Sequence, residues 1–147
     1  MQNQIRSLSP KNYKKIKFKI TKTNHLLIRV KINGVFGNFI LDTGASNSCV
    51  GFDQIDFFQL MTRKSKTKAA GAGATGMETH FSENNILQIG TWKNENFDLV
   101  IFDLSHVNLA LAEHQSKSIH GIIGSDVLIT SMAIIDYENC FLYLKRN

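Results

Sequence analysis

The chain has 147 residues, 43% hydrophobic and 20% charged, with a formal net charge of +5 and ten glycines against a single proline. That length suits one domain with a sizeable core, and the composition is that of a globular chain rather than a disordered polymer. No apolar run approaches the roughly 20 residues that a bilayer-spanning helix needs.

Residues 1 to 14 read as a loose polar tail, and residues 15 to 147 as one domain. Met1 to Lys19 is basic and has no apolar h-region, which makes a cytoplasmic protein without a secretory signal the expectation. From Ile16 the pattern has period two, with Ile16, Phe18 and Ile20 on one face and lysines on the other. A second run places Leu26, Ile28, Val30 and Ile32 inward. Asn33-Gly34 follows, a hairpin signal because both residues tolerate positive φ. Val35 to Leu41 is then the return strand, and it ends at Asp42. Ser48 to Val50 forms a short strand leaving the turn. Asp53 is placed to cap a short helix through about Met61, with Ile55, Phe58 and Met61 facing in.

A basic run, Arg63 to Lys68, leads into Ala69-Ala70-Gly71-Ala72-Gly73-Ala74-Thr75-Gly76, a stretch small enough for a mobile hairpin tip. Strand character resumes from Met77 to Gly90. Gly90 to Asn96 reads as a polar turn and Phe97 to Phe102 as an apolar strand. Leu104 to Lys117 is ambiguous, with Leu109 to Ala112 favouring a helical turn. Ile119 to Gly124 is strand-like, Asp126 to Ser131 a short helix, and Met132 to Tyr137 with Cys140 to Lys145 a last hairpin. Many short strands with one or two short helices predict a mainly β, closed barrel-like domain.

Two stretches stand out chemically. Phe39-Ile40-Leu41-Asp42-Thr43-Gly44-Ala45-Ser46 runs a buried strand into a carboxylate, a hydroxyl and small residues. Gly121-Ile122-Ile123-Gly124-Ser125-Asp126-Val127-Leu128 runs two apolar residues and a glycine into a helix. Together, in this order, they resemble the two landmarks of the retropepsin-like aspartic proteases, and most of all the stand-alone bacterial members. The resemblance extends from about Ile16 to the C-terminus.

That resemblance implies a retropepsin-like closed β-barrel active as a homodimer, and an aspartic endopeptidase needing no cofactor and no metal. It assigns Asp42 as the catalytic carboxylate, with Thr43 and Gly44 in support. Ala45, Ile123 and Gly124 would border the substrate, and Gly71, Ala72, Gly73, Ala74 and Gly76 would form a flap over it. Asp-Thr-Gly occurs once, so the second carboxylate of the dyad must come from another copy of the chain. The implied partners are therefore self and a peptide or protein substrate. The chain is longer than the compact retroviral enzymes, and Met1 to Tyr13 does not look like their interleaving terminal strand. The alternative from another class is a non-catalytic dimeric peptide-binding module on the same fold.

Other chemistries find less support. Lysines 11, 14, 15, 17, 19 and 22 lack the interleaved aromatics of a single-strand nucleic-acid surface, and they read as the wet face of an edge strand. Neither a nucleic acid nor a membrane is an expected partner. His25, His80, His106, His114 and His120 have no ligand spacing, and Cys49 and Cys140 read as reduced thiols. Ser46 and Ser48 lack the Gly-x-Ser-x-Gly frame of a serine nucleophile. Asp126 reads as the cap of the helix it begins.

Overall fold

The computed structural model of the protein describes residues 12–64 and 78–146. In chain order the strands are β1 (Tyr13–Lys17), β2 (Lys19–Ile20), β3 (Leu26–Ile32), β4 (Val35–Leu41), β5 (Cys49–Gly51), β6 (Arg63–Lys64), β7 (His80–Ile89), β8 (Trp92–Phe102), β9 (Gly121–Ile123), β10 (Ile134–Asp136) and β11 (Phe141–Lys145). Helix α1 (Ser105–Glu113) lies between β8 and β9, and α2 (Ser125–Thr130) follows β9.

Eight strands pair in the order β2-β3-β4-β9-β5-β8-β7-β6, and β3 also pairs with β7 through Lys31↔Gln88 and Ile32↔Leu87. That extra pairing closes six of them, β3-β4-β9-β5-β8-β7, into a barrel. The inward residues of β3 (Leu26, Ile28, Val30 and Ile32) are all buried, as the alternation predicts. They meet Phe39, Leu41, Val50, Leu87, Leu99, Ile101 and Ile123 in the main core. Each such side chain contributes about 1.5–3 kcal/mol by leaving water. The mainly β, closed barrel is thus observed.

The β3–β4 hairpin turns where predicted, with φ of 50° at Asn33 and 85° at Gly34. Positive φ at both central residues matches the right-handed twist of the flanking strands. The Asn33 side chain also donates to Phe58 O and Asn85 Oδ1 and accepts from the Ile86 amide. The turn therefore anchors two other segments and fixes the register of β4, the strand that carries Asp42.

Several local expectations need correction. Strand structure begins at Tyr13, within the stretch read as tail, because Tyr13–Lys17 pairs with Lys145–Phe141 of β11. Ile20 is 46% exposed although Ile16 and Phe18 are buried. The chain changes sheets at Phe18: β1 pairs with β11, whereas β2 pairs with β3, so the alternation does not carry through.

Asp53 does not cap a helix. It lies inside a single 3₁₀ turn, Phe52–Gln54, whose N-cap is Gly51. Gln59 at φ 57° and the Leu60 amide donated to Ile55 O end this segment as a Schellman-type stop. Phe58 and Leu60, on either side of Gln59, are buried, and Met61 is 89% exposed.

The turn before β8 is only Gly90-Thr91, so the strand starts at Trp92 rather than Phe97. The polar residues Lys93 to Asn96 mask it in the sequence. Trp92 is buried, and its indole N–H donates to Lys145 O, joining the barrel to the three-stranded β1-β11-β10 sheet. The ambiguous stretch after Leu104 resolves as α1. The Asp103 carboxylate accepts the Ser105 amide at its start, and Asn108 bonds both the amide and the carbonyl of Ile119. Among the described residues, no helix is long and apolar enough to cross a membrane.

Candidate active site

Asp42 stands at the end of β4, immediately after the buried Leu41, and is exposed together with Thr43 and Gly44. Strand and barrel deliver it there, and a set of backbone bonds holds it. The Asp42 amide donates to Ile123 O at 2.9 Å, and the Ala45 amide returns to Asp42 O at 3.2 Å. The Gly44 amide donates to Asp42 Oδ1 at 2.9 Å, so the carboxylate accepts a main-chain N–H two residues on. A carboxylate oriented by a backbone donor at a turn is presented to solvent in one geometry rather than swept through many.

The second landmark packs directly under this loop. β9 runs parallel to β4 with Phe39↔Gly121, Ile40↔Ile122 and Leu41↔Ile123 in register. The Ser125 amide donates to Ala45 O at 2.7 Å. A Cβ on Gly124 would stand 2.6 Å from Ala45 O and 3.1 Å from Asn47 C and O. The two main chains cross at this point, and only glycine leaves room.

Asp126 has a different part from the cap expected of it. Gly124 is the N-cap residue of α2 and makes no side-chain cap bond, while Asp126 lies in the first turn. Its carboxylate reaches back to the loop after Asp42, accepting the Ser48 amide at 2.9 Å and the Ser48 hydroxyl at 2.7 Å. Ser48 Oγ, wholly buried, accepts the Gly124 amide at 2.9 Å in turn. Ser48 and Asp126 thus join the two landmarks through side chains. Sequence reasoning missed this link, since a serine before a strand and an acid at a helix start each have a local explanation.

Of the remaining expected site residues, Ala45 is half-buried on the loop. The Ile123 side chain is fully buried in the main core, and its carbonyl accepts the Asp42 amide. Its neighbour Ile122 is the half-buried residue that faces outward, packing on the cluster around Ile40, Leu111 and Ile119. Gly124 is buried against the Asp42 loop. Gly71, Ala72, Gly73, Ala74 and Gly76 lie outside the described residues.

Cys49, next to Ser48, is no nucleophile. Burial pushes its thiol up to about 12, against a hydrogen bond at the Ile122 backbone, and the Asp126 and Asp42 carboxylates add to the rise. Both cysteines are free thiols. Among the described residues, no three His, Cys, Asp or Glu side chains cluster in a way that could hold a metal ion.

The fold and these landmarks have counterparts. The family model described as aspartyl protease matches residues 28–127, more than half of the chain, taking in the first landmark whole and the second as far as Val127. No curated protein matches. Among solved structures, a retropepsin-like aspartic protease from Rickettsia conorii is similar with a TM-score of 0.62 and 17% identity, over 91% of this chain and 90% of that one. The EIAV protease complexed with the inhibitor HBY-793 gives a TM-score of 0.54 at 19% identity, over 80% of this chain and 98% of that one. The retroviral protease-like domain of Ddi1 from Leishmania major gives 0.54 at 16% identity, over 84% and 94%. At such identities the neighbours speak for the fold, and the family rests on the match to residues 28–127. The chain belongs to the aspartyl protease family, with a retropepsin-like fold.

Proposed function

We propose that the protein is an aspartic endopeptidase whose active form is a C2 homodimer, with Asp42 of each copy forming one half of a catalytic dyad. The observation that carries this reading is the exposure of Asp42 on a loop fixed by main-chain bonds, with Gly44 N–H on its carboxylate. A residue held this firmly and left open to solvent suits a role beyond the turn itself.

Two such carboxylates brought face to face cannot both ionise, so they share one proton and titrate as a pair. The ionised one takes a proton from a water molecule as that water attacks the substrate carbonyl carbon, and the protonated one donates to the carbonyl oxygen. The tetrahedral intermediate collapses as the leaving nitrogen is protonated and the C–N bond breaks, with no acyl-enzyme. Thr43, exposed beside Asp42, would bond across the two-fold axis. Gly44 would keep the carboxylates free of a neighbouring side chain, and Ala45 is small enough for a substrate main chain to lie beside it. The substrate would be an extended peptide.

The test is cleavage of a diverse peptide mixture at high protein concentration, from acidic to neutral pH, with wild type and Asp42→Asn in parallel. Cleavage confined to the wild type and lost steeply on dilution supports the proposal. Equal cleavage by Asp42→Asn would overturn it.

A further inference from the structure

In the three-stranded sheet, β1 and β11 are each other's partners. They pair from Tyr13↔Lys145 to Lys17↔Phe141, and beyond them the Arg146 amide donates to Asn12 O at 2.7 Å. β10 takes the other side of β11, with Ile134↔Tyr143 to Asp136↔Phe141 in register. The sheet therefore has two edges, and they differ in chemistry. The β1 edge carries Lys14, Lys15 and Lys17, and lysine on an edge strand discourages pairing with another chain. The β10 edge is Ile134-Ile135-Asp136, has no cation, and among the described residues pairs with β11 alone. Its one carboxylate turns back to accept the Asn139 side-chain amide at 2.9 Å.

Helix α2 ties the β10 edge to the Asp42 loop. At the start of α2 the Ser125 amide and hydroxyl donate to Ala45 O and Ser46 O, at 2.7 and 3.4 Å. The helix has six residues and is about 9 Å long. Ile129 stands four residues after Ser125, on the same helix face, and Met132 follows three further on. These two side chains are 75% and 62% exposed, and β10 begins two residues after Met132. Two large apolar side chains thus stand in water between the Asp42 loop and an open strand edge.

Resting on the homodimeric protease reading above, we propose that this surface is where the second copy docks. The two β10 strands pair across the two-fold axis, centred near Ile135, and join the two three-stranded sheets into one of six. A two-fold axis perpendicular to a sheet makes identical neighbouring strands antiparallel, so the pairing needs no other element. Ile129 and Met132 of each copy then leave water against one another. Because β1 and β11 already pair within each subunit, no exchange of those strands is required. One axis serves both the sheet and the dyad, since α2 holds the Asp42 loop and the β10 edge about one short helix apart.

The test is sedimentation equilibrium of the whole chain, wild type beside Ile129→Lys/Met132→Lys, with amide hydrogen exchange of wild type at high and low protein concentration. Both substituted side chains are exposed, so the far-UV circular dichroism should not change. The dimer dissociation constant of the variant is expected to rise at least about thirtyfold, the scale of losing one interface hot spot. Exchange over Ile134–Asp136 should slow when wild type dimerises, while exchange over Tyr13–Lys17 should not. A wild-type dissociation constant in the variant, or β10 exchange that is the same in monomer and dimer, would overturn this interface and leave the dimeric protease standing. If the variant misfolds, the wild-type exchange decides by itself. Wild type that cleaves peptides while sedimenting only as a monomer would overturn both the interface and the shared dyad.

Discussion

Ser48 and Asp126 are 78 residues apart and meet through two hydrogen bonds, a 2.9 Å bond from the Ser48 amide and a 2.7 Å bond from its hydroxyl. The same hydroxyl accepts the Gly124 amide, so a single buried serine couples the Asp42 loop to the start of α2. The three bonds act as one unit.

Removing Asp126 should therefore be costly. Asp126→Ala strands the Ser48 amide and hydroxyl, and each bond to a charged acceptor is worth about 1.5–3 kcal/mol. The expected loss is about 2–4 kcal/mol, read as a lower midpoint of urea unfolding at unchanged slope. Asp126→Asn keeps one acceptor oxygen and should lose less than Asp126→Ala. If the alanine variant matches wild type in stability, the coupling described here is wrong.

Gly124→Ala tests the crossing of the two main chains. The new Cβ would sit 2.6 Å from Ala45 O, a backbone atom that cannot rotate away. Overpacking of this kind typically costs about 1–3 kcal/mol. Because the displaced atoms belong to the Asp42 loop, peptidase turnover should fall further than stability. The check is kcat against KM beside the unfolding midpoint, with kcat expected to carry the defect.

Stability should also fall at acid pH, for two reasons with the same sign. Asp136 is held below the ordinary carboxylate range, first by the Asn139 side chain and then by the Asn139 and Glu138 amides and Lys15, against the opposing effect of burial. A depressed folded-state value means stabilisation that is present above the unfolded value of about 3.9 and lost as pH falls through the folded one. His120 lies stacked on Phe57 at 5.0 Å and takes the Asn38 amide on Nδ1. Burial lowers its value below the usual histidine range. The folded state thus prefers the neutral ring, and stability declines as pH drops below about 6.5, where the unfolded chain gains the proton first. Thermal midpoints measured from pH 7 to pH 3 should show both declines. Asp136→Asn should flatten the lower one and His120→Phe the upper one.

Much of this architecture is legible in the sequence because it rests on local rules. Alternation in Leu26–Ile32 fixes the inner face of β3, and Asn33-Gly34 fixes the hairpin that delivers Asp42. The order of the two landmarks points to the family. What stays hidden depends on distant partners. Trp92, which opens β8 opposite Ile89, docks its indole on Lys145 O, 53 residues away, and Ile20 turns outward because the chain changes sheets at Phe18. Asp126 spends its carboxylate on Ser48, which no spacing rule connects to it.

The central claim is that each catalytic centre needs Asp42 from two copies. Mixing tests it most directly: wild type and Asp42→Asn are combined in equal amounts, allowed to exchange subunits, and assayed for peptide cleavage at fixed total protein. If the dyad is shared across a two-fold axis, only dimers with two wild-type copies are active. Activity then falls to about one quarter of the unmixed wild type and follows the square of the wild-type fraction. Activity of about one half, rising linearly with that fraction, would mean that a single Asp42 suffices and would contradict the shared dyad.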